Sequence, residues 1–142
     1  MSYRSADNSA LIVPLSFPAG AVGSIVEPAI NTTAVADNSA LAPIVAYTLP
    51  KGQWLIEGTL YVAPVTAGQT LTGKTEIAKD ATVVWRSQNA TASSGHSVSL
   101  SAVVSSNGAN AITIPMLYDT SAGSTYGVSA APLSNVQFIR IA

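Results

Sequence analysis

The sequence contains no cysteine. A disulfide framework, a thiolate nucleophile and a zinc site built on cysteine ligands are therefore excluded. Only one histidine is present, so a histidine-based metal site would need further ligands from a few scattered carboxylates. At 142 residues the chain is long enough to bury a hydrophobic core without cross-links. We expect neither a cofactor nor a bound metal.

Charged residues are scarce as well. Asp, Glu, Lys and Arg make up 9% of the chain, whereas a soluble domain typically carries about 25%. The net charge is −1 and basic residues form no run, so the positive surface that phosphate backbones require is missing. We expect no nucleic-acid partner. A surface made largely of Ser, Thr, Asn, Gln and Ala favours a protein that is docked into a larger assembly.

The sequence also lacks long apolar runs. The apolar run that follows the polar N-terminus stops at Pro14 after three residues, although a signal peptide needs an apolar core of about 7–15 residues. No stretch approaches the roughly 20 apolar residues of a membrane span. We therefore expect synthesis in the cytoplasm and no membrane partner.

Alternation of apolar and polar residues replaces helical periodicity along most of the chain. In QWLIEGTLYVA, one face collects the apolar residues Trp54, Ile56, Leu60 and Val62, which is typical of a strand with one buried face. Similar stretches recur at intervals of roughly 8–12 residues, and Asn107-Gly108 between two of them is a strong hairpin signal. The pattern predicts an all-β protein, a jelly-roll-like antiparallel β-sandwich.

The first 43 residues differ from the rest because prolines interrupt them and small residues dominate the links. Proline confines strands to sheet edges, so we predict an extended N-terminal arm over residues 1–43, with edge strands, and a jelly-roll body over 44–142. The alternative is that these residues complete the sandwich. ADNSAL occurs at 6–11 and again at 36–41, and its Asp-Asn-Ser predicts a turn before each strand. The alternating oxygen ligands of a calcium loop are absent from it.

The arm also carries the residues that we predict to bind a partner. Tyr and Arg are favoured anchors at protein interfaces, and an extended apolar segment can add a strand to a partner's sheet. The predicted partner-binding residues are Tyr3, Arg4, Leu11, Ile12 and Val13.

Few residues are suited to a catalytic role. His96 begins a predicted strand, but no serine lies in a G-x-S-x-G elbow, which favours an exposed histidine at a strand end. Glu57 and Glu76 could approach each other as the two carboxylates of a glycosidase do. The favoured interpretation is that they face outward and pair with Lys74 or Lys79. We therefore predict no catalytic residue and no enzymatic activity.

The two tryptophans leave one alternative open. Trp54 shares its face with Ile56 and Leu60 and is expected in the core, whereas the position of Trp85 beside Arg86 is less well defined. Aromatic side chains on β-sandwiches bind sugars, so an exposed Trp would favour a carbohydrate-binding head.

The order of these segments resembles that of two groups of jelly-roll proteins. YTLPKGQWLIEGTLYV, then the Asn-Gly turn, then a closing NVQFIRIA resembles the jelly-roll heads of the C1q and tumour-necrosis-factor type over residues 47–142. It is also similar to the jelly-roll cement (decoration) proteins of tailed-bacteriophage capsids. C1q-type heads usually have a glycine-acid turn where this chain has GSTYGVSAAP. That departure, together with the missing secretory signal, the absence of a collagen-like stalk and the charge-poor composition, favours the phage proteins.

The resemblance implies a structural role. Such a protein binds the outside of a phage capsid, ties neighbouring major capsid protein subunits together, and is expected to act as a dimer or trimer. The expected location is the outer surface of the virion, after synthesis in the host cytoplasm. The alternative is a receptor- or carbohydrate-binding head of a phage fibre.

Overall fold

The computed structural model describes residues 21–36, 43–121, 123 and 125–142. The predicted partner-binding residues Tyr3, Arg4, Leu11, Ile12 and Val13 lie outside these ranges. So does the ADNSAL repeat, apart from the first residue of its second copy. The division into an arm over 1–43 and a body over 44–142 remains a prediction.

Twelve strands and no helix form within the described residues. They are β1 (Ile25–Val26), β2 (Val35–Ala36), β3 (Val45–Thr48), β4 (Gly52–Pro64), β5 (Leu71–Lys79), β6 (Thr82–Arg86), β7 (Ala90–Ala92), β8 (His96–Ser106), β9 (Ala111–Ile114), β10 (Met116–Thr120), β11 (Thr125–Val128) and β12 (Asn135–Arg140). The strand pairs between them are antiparallel and fall into two sheets. The predicted antiparallel β-sandwich is therefore confirmed.

The first sheet is built around the long strand β4. Trp54 of β4 pairs with Val104 of β8 and with Arg140 of β12, so β8 and β12 lie on opposite sides of β4. Farther along, Val62 pairs in the same way with His96 of β8 and Val128 of β11. The short strands β1 and β2 pair with β12 and β11, and they form the sheet edge opposite to β8.

The second sheet is built around β5 in the same manner. Ala78 of β5 pairs with Val83 of β6 on one side and with Thr113 of β9 on the other. At the other end of β5, Gly73 pairs with Ala90 of β7 and with Tyr118 of β10. Strand β3 pairs with the far side of β9. Strands β6 and β7 pair with successive parts of β5 and together form one edge of this sheet.

The core lies between the two sheets. The four predicted residues of β4, Trp54, Ile56, Leu60 and Val62, are fully buried, and Ile112, Ile114 and Met116 are buried with them. The indole nitrogen of Trp54 donates a hydrogen bond to the Pro50 carbonyl at 2.9 Å, which satisfies its only polar atom in the core.

The hairpin predicted at Asn107-Gly108 is wrong. Strand β8 pairs with β4 in the first sheet, whereas β9 pairs with β3 and β5 in the second, so this turn joins the sheets. The Ser106 hydroxyl donates to the Leu49 carbonyl at 2.8 Å and accepts from the Gly108 amide at 3.1 Å, which fixes the crossing. Crossing places the apolar residues of β9 against the opposite sheet, and this burial outweighs the local turn preference.

Candidate interaction surface

The outer face of the first sheet carries a continuous row of apolar side chains. Leu55 of β4 lies directly opposite Val103 of β8 on one side and Ile139 of β12 on the other. Ile139 in turn lies opposite Ile25 of β1. Directly paired residues in a sheet project to the same face, so these four side chains are neighbours across four strands. We call Ile25, Leu55, Val103 and Ile139 the apolar row.

The row faces outward because its chain neighbours face inward. Trp54, Val104 and Phe138, each adjacent in sequence to a member of the row, are buried in the core. Val103 is 61% exposed and Ile25 is 55% exposed, while the two middle residues are half-buried. With strands about 4.8 Å apart, the row is about 14 Å long. An exposed apolar stripe of this kind on the outer face of a sheet is suited to burial against a partner.

Polar rows flank the apolar row. On one side Ser101, Glu57 and Gln137 lie opposite one another, and the side-chain amide of Gln137 donates a hydrogen bond to the Glu27 carboxylate at 3.1 Å, so this row carries two carboxylates. On the other side Ser105 lies opposite Gln53, whose carbonyl accepts a hydrogen bond from the amide of Ile141. On this second side, neutral side chains let a partner approach closely without the cost of removing charges from water.

Both ends of the apolar row reach a sheet edge. At one end β8 pairs with β4, and no other strand pairs with it in the part of the chain that the structure describes. The eleven residues of β8 include no Lys, Arg, Asp, Glu or Pro. Those residue types usually protect an edge strand from pairing with another chain. Strand β8 is thus open to an added strand through its backbone.

The structure does not bring Glu57 and Glu76 together as a catalytic pair. Glu57 lies on the outer face of the first sheet, whereas Glu76 belongs to the second sheet. The expectation that Glu76 faces outward beside Lys74 or Lys79 is wrong. Its side chain is only 8% exposed, and it accepts a hydrogen bond from Arg86 Nε at 2.5 Å, because Arg86 lies opposite it in β6.

His96 is half-buried, so the prediction of an exposed histidine is also wrong. Nε2 lies 3.2 Å from the Tyr118 hydroxyl, and Nδ1 is buried with no hydrogen-bond partner among the described residues. Burial lowers the pKa of His96 below its usual value, which keeps the ring neutral. His96 shares alternation with Val98 and Leu100 on the inner face of β8, and this periodicity was the available sequence signal.

The tryptophans differ as the sequence suggests. Trp54 is fully buried, and Trp85 is half-buried and packs against the edge of the core. Across the described ranges, no three His, Asp or Glu side chains are grouped closely enough to hold a metal ion. In the same ranges the structure contains no helix of the length and hydropathy needed to cross a membrane.

Sequence reasoning missed the apolar row. Its signal was a set of apolar doublets, such as Val103-Val104 and Phe138-Ile139, in strands with a single buried face. One member of each doublet must then point outward. The sequence alone does not align four strands that are far apart along the chain.

No family model matches the sequence, and no curated protein matches it. Solved structures do match. A tumour necrosis factor, Eiger from S. frugiperda, has a TM-score of 0.51 at 12% identity, over 86% of this chain and 94% of that one. The insecticidal delta-endotoxin Cry8Ea1 of Bacillus thuringiensis has a TM-score of 0.42 at 12% identity, over 77% of this chain and 20% of its own. VP2 of the infectious bursal disease virus subviral particle has a TM-score of 0.43 at 14% identity, over 84% of this chain and 37% of its own. The likeness to the tumour necrosis factor shows that the chain has a jelly-roll fold of that type.

Proposed function

We propose that this chain is a structural virion protein that binds the outside of a bacteriophage capsid and cements neighbouring major capsid protein subunits. It acts there as a dimer or trimer, and the role requires no catalytic residue. The apolar row on the outer face of the first sheet is the observation that carries this proposal. It offers an uncharged apolar contact surface that a protein shell can cover.

Two further features support the same role. The chain carries 9% charged residues, so most of its surface can be desolvated against a partner at little electrostatic cost. Strand β8 also ends the apolar row with an edge free of charge and proline, where an extended segment of a capsid subunit can pair. Each contact can be weak, because contacts repeated over a shell add through multivalency.

The test is co-sedimentation with expanded phage capsids that lack this protein, combined with a thermal stability assay of the same capsids. The wild-type chain is expected to bind saturably and to raise the capsid melting temperature. Val103→Lys places a charge in the apolar row and is expected to weaken binding at least tenfold. Val84→Lys is the matched control, since Val84 is 45% exposed on β6 of the other sheet.

Equal loss of binding in both variants would contradict the assignment of this face. If no wild-type binding occurred, the cement role itself would be wrong. If the wild-type chain bound host cells but not capsids, the receptor head of a phage fibre would be favoured instead.

A further inference from the structure

A separate cleft of about 350 Å³ opens at the edge of the sandwich, between β6 of the second sheet and the start of β8 of the first. Its lining includes Trp85, Arg86, Gln88, His96 and two serines of β8, Ser97 and Ser99. The volume lies at the lower end of the range of ligand pockets, about 300–1,000 Å³. None of these residues belongs to the apolar row, although His96, Ser97 and Ser99 lie at the start of β8, whose edge is part of the proposed capsid contact.

Arg86 is held in a fixed orientation at this cleft. Its Nε donates to the carboxylate of Glu76, which is nearly buried, while the Arg86 side chain is 53% exposed. No described residue bonds to the two terminal nitrogens of its guanidinium, which carry four N–H donors in one plane. Because Glu76 balances the charge of Arg86, the pair presents planar donors without a net charge.

The rest of the lining is uncharged and combines an aromatic surface with hydroxyl and amide groups. Trp85 packs against the core and also lines the cleft. The side chains of Gln88, Ser97 and Ser99 are exposed beside it and supply hydrogen-bond donors and acceptors. His96 adds a half-buried ring whose Nε2 is turned toward the Tyr118 hydroxyl.

We propose that this cleft binds a neutral saccharide of one or two rings. A pyranose has an apolar face of C–H groups that packs on an indole ring, and vicinal hydroxyls around its edge that match the planar donors of a guanidinium. An acidic ligand would need an excess of positive charge, whereas the charges of Arg86 and Glu76 cancel here. An aliphatic ligand would leave the donors of Arg86 and Gln88 unpaired.

Tryptophan fluorescence provides a direct test, because the chain has two tryptophans and one of them, Trp54, is fully buried in the core. The full chain is titrated with methyl glycosides of glucose, galactose, mannose and N-acetylglucosamine, and with their disaccharides. We expect at least one neutral sugar to shift the emission saturably, with a dissociation constant of about 1 mM, as befits so small a ligand. The Trp85→Phe variant, which keeps Trp54, is expected to lose this signal.

Two substitutions distinguish the cleft from other surfaces. Gln88→Ala and Arg86→Lys are each expected to weaken sugar binding about fivefold, measured by calorimetry, because each removes a hydrogen bond to the ligand. Arg86→Lys keeps a cation beside Glu76 and so preserves the fold. The matched control is Gln53→Ala, since Gln53 is exposed and pairs with Ser105 at the opposite end of β8 from His96. Gln53→Ala and Val103→Lys should bind sugar as the wild-type chain does.

Three results would overturn the proposal. The first is the absence of saturable binding for every neutral sugar up to 100 mM, roughly a hundred times the expected dissociation constant. The second is binding confined to glucuronic acid or another acidic sugar. The third is sugar binding that Gln88→Ala and Arg86→Lys leave unchanged. Failure of sugar binding would leave capsid binding untouched, because the two tests use different residues.

Discussion

Glu76 and Arg86 face each other across β5 and β6, and the nearly buried carboxylate accepts a hydrogen bond from Arg86 Nε at 2.5 Å. Removing Arg86 leaves an unpaired charge in a largely dry position. We expect Arg86→Ala to lower the free energy of unfolding by about 1–3 kcal/mol, less than a fully buried pair would lose, because the Arg86 side chain is half exposed. Urea unfolding measures this difference.

The double variant Glu76→Gln/Arg86→Ala is the control for that prediction. It removes the stranded charge, so it should be more stable than Arg86→Ala alone. If the losses in free energy of unfolding of Glu76→Gln and Arg86→Ala simply added in the double variant, the interaction between the two side chains would contribute nothing to stability.

Gly58 lies where β12 passes closest to β4. A Cβ at this position would lie 2.2 Å from the Asn135 carbonyl oxygen, and its φ of +147° is unusual for other residues. We expect Gly58→Ala to lower the free energy of unfolding by about 3 kcal/mol or more, since backbone atoms of β12 would have to move. Gly127→Ala is the control, because the nearest atom to its Cβ is 3.6 Å away. Similar losses in both variants would contradict this account.

The turn between β5 and β6 contains two residues with left-handed backbone conformation, Asp80 at φ 48° and Ala81 at φ 67°. Ala lacks the local hydrogen bonds that help Asp and Asn tolerate this region. We expect Ala81→Gly to raise the free energy of unfolding by about 0.5–1 kcal/mol. Ala109→Gly, in an exposed turn outside the left-handed region, should lower it slightly. Thermal unfolding measures both variants. A loss of stability in Ala81→Gly similar to that in Ala109→Gly would mean that chain entropy, rather than backbone strain at Ala81, determines the effect.

The sequence-based prediction that Tyr3 and Arg4 contact a partner has its own test. Both residues lie outside the described ranges. Tyr3→Ala/Arg4→Ala is expected to weaken capsid binding at least tenfold while leaving thermal unfolding of the isolated chain unchanged, because anchors of this kind act at the interface. Unchanged capsid binding would remove these residues from the proposed contact.

Strand identity was predictable because alternation is local. The buried face of β4 follows from Trp54, Ile56 and Leu60 without knowledge of any other strand. Pairing was not predictable, since it depends on which arrangement buries the most apolar surface. At Asn107-Gly108 a strong hairpin signal gave way to the burial of Ile112 and Ile114 against the opposite sheet.

The candidate surface was harder to predict than the fold. Ile25 and Ile139 are direct neighbours in the sheet although most of the chain lies between them. A row assembled from four strands depends on every register at once, and a slip of one residue would turn its side chains inward. The partner of Glu76 was missed for the same reason. Because of the register between β5 and β6, Arg86 lies directly opposite Glu76, although Lys74 and Lys79 are nearer in sequence.

His96 predicts a pH dependence of stability. Burial lowers its pKa in the folded chain, whereas in the unfolded chain a histidine titrates at about 6.5. The unfolded state therefore binds more protons between these two pKa values, so stability is complete above about pH 6.5 and declines as the pH falls below it. Tyr118, whose hydroxyl contacts the ring, stays protonated because burial raises its pKa, and Arg86 lines the same cleft. His96→Gln is expected to show a shallower loss between pH 7 and 5 in urea unfolding. Identical slopes for the two proteins would mean that the ring is protonated in the folded chain without cost.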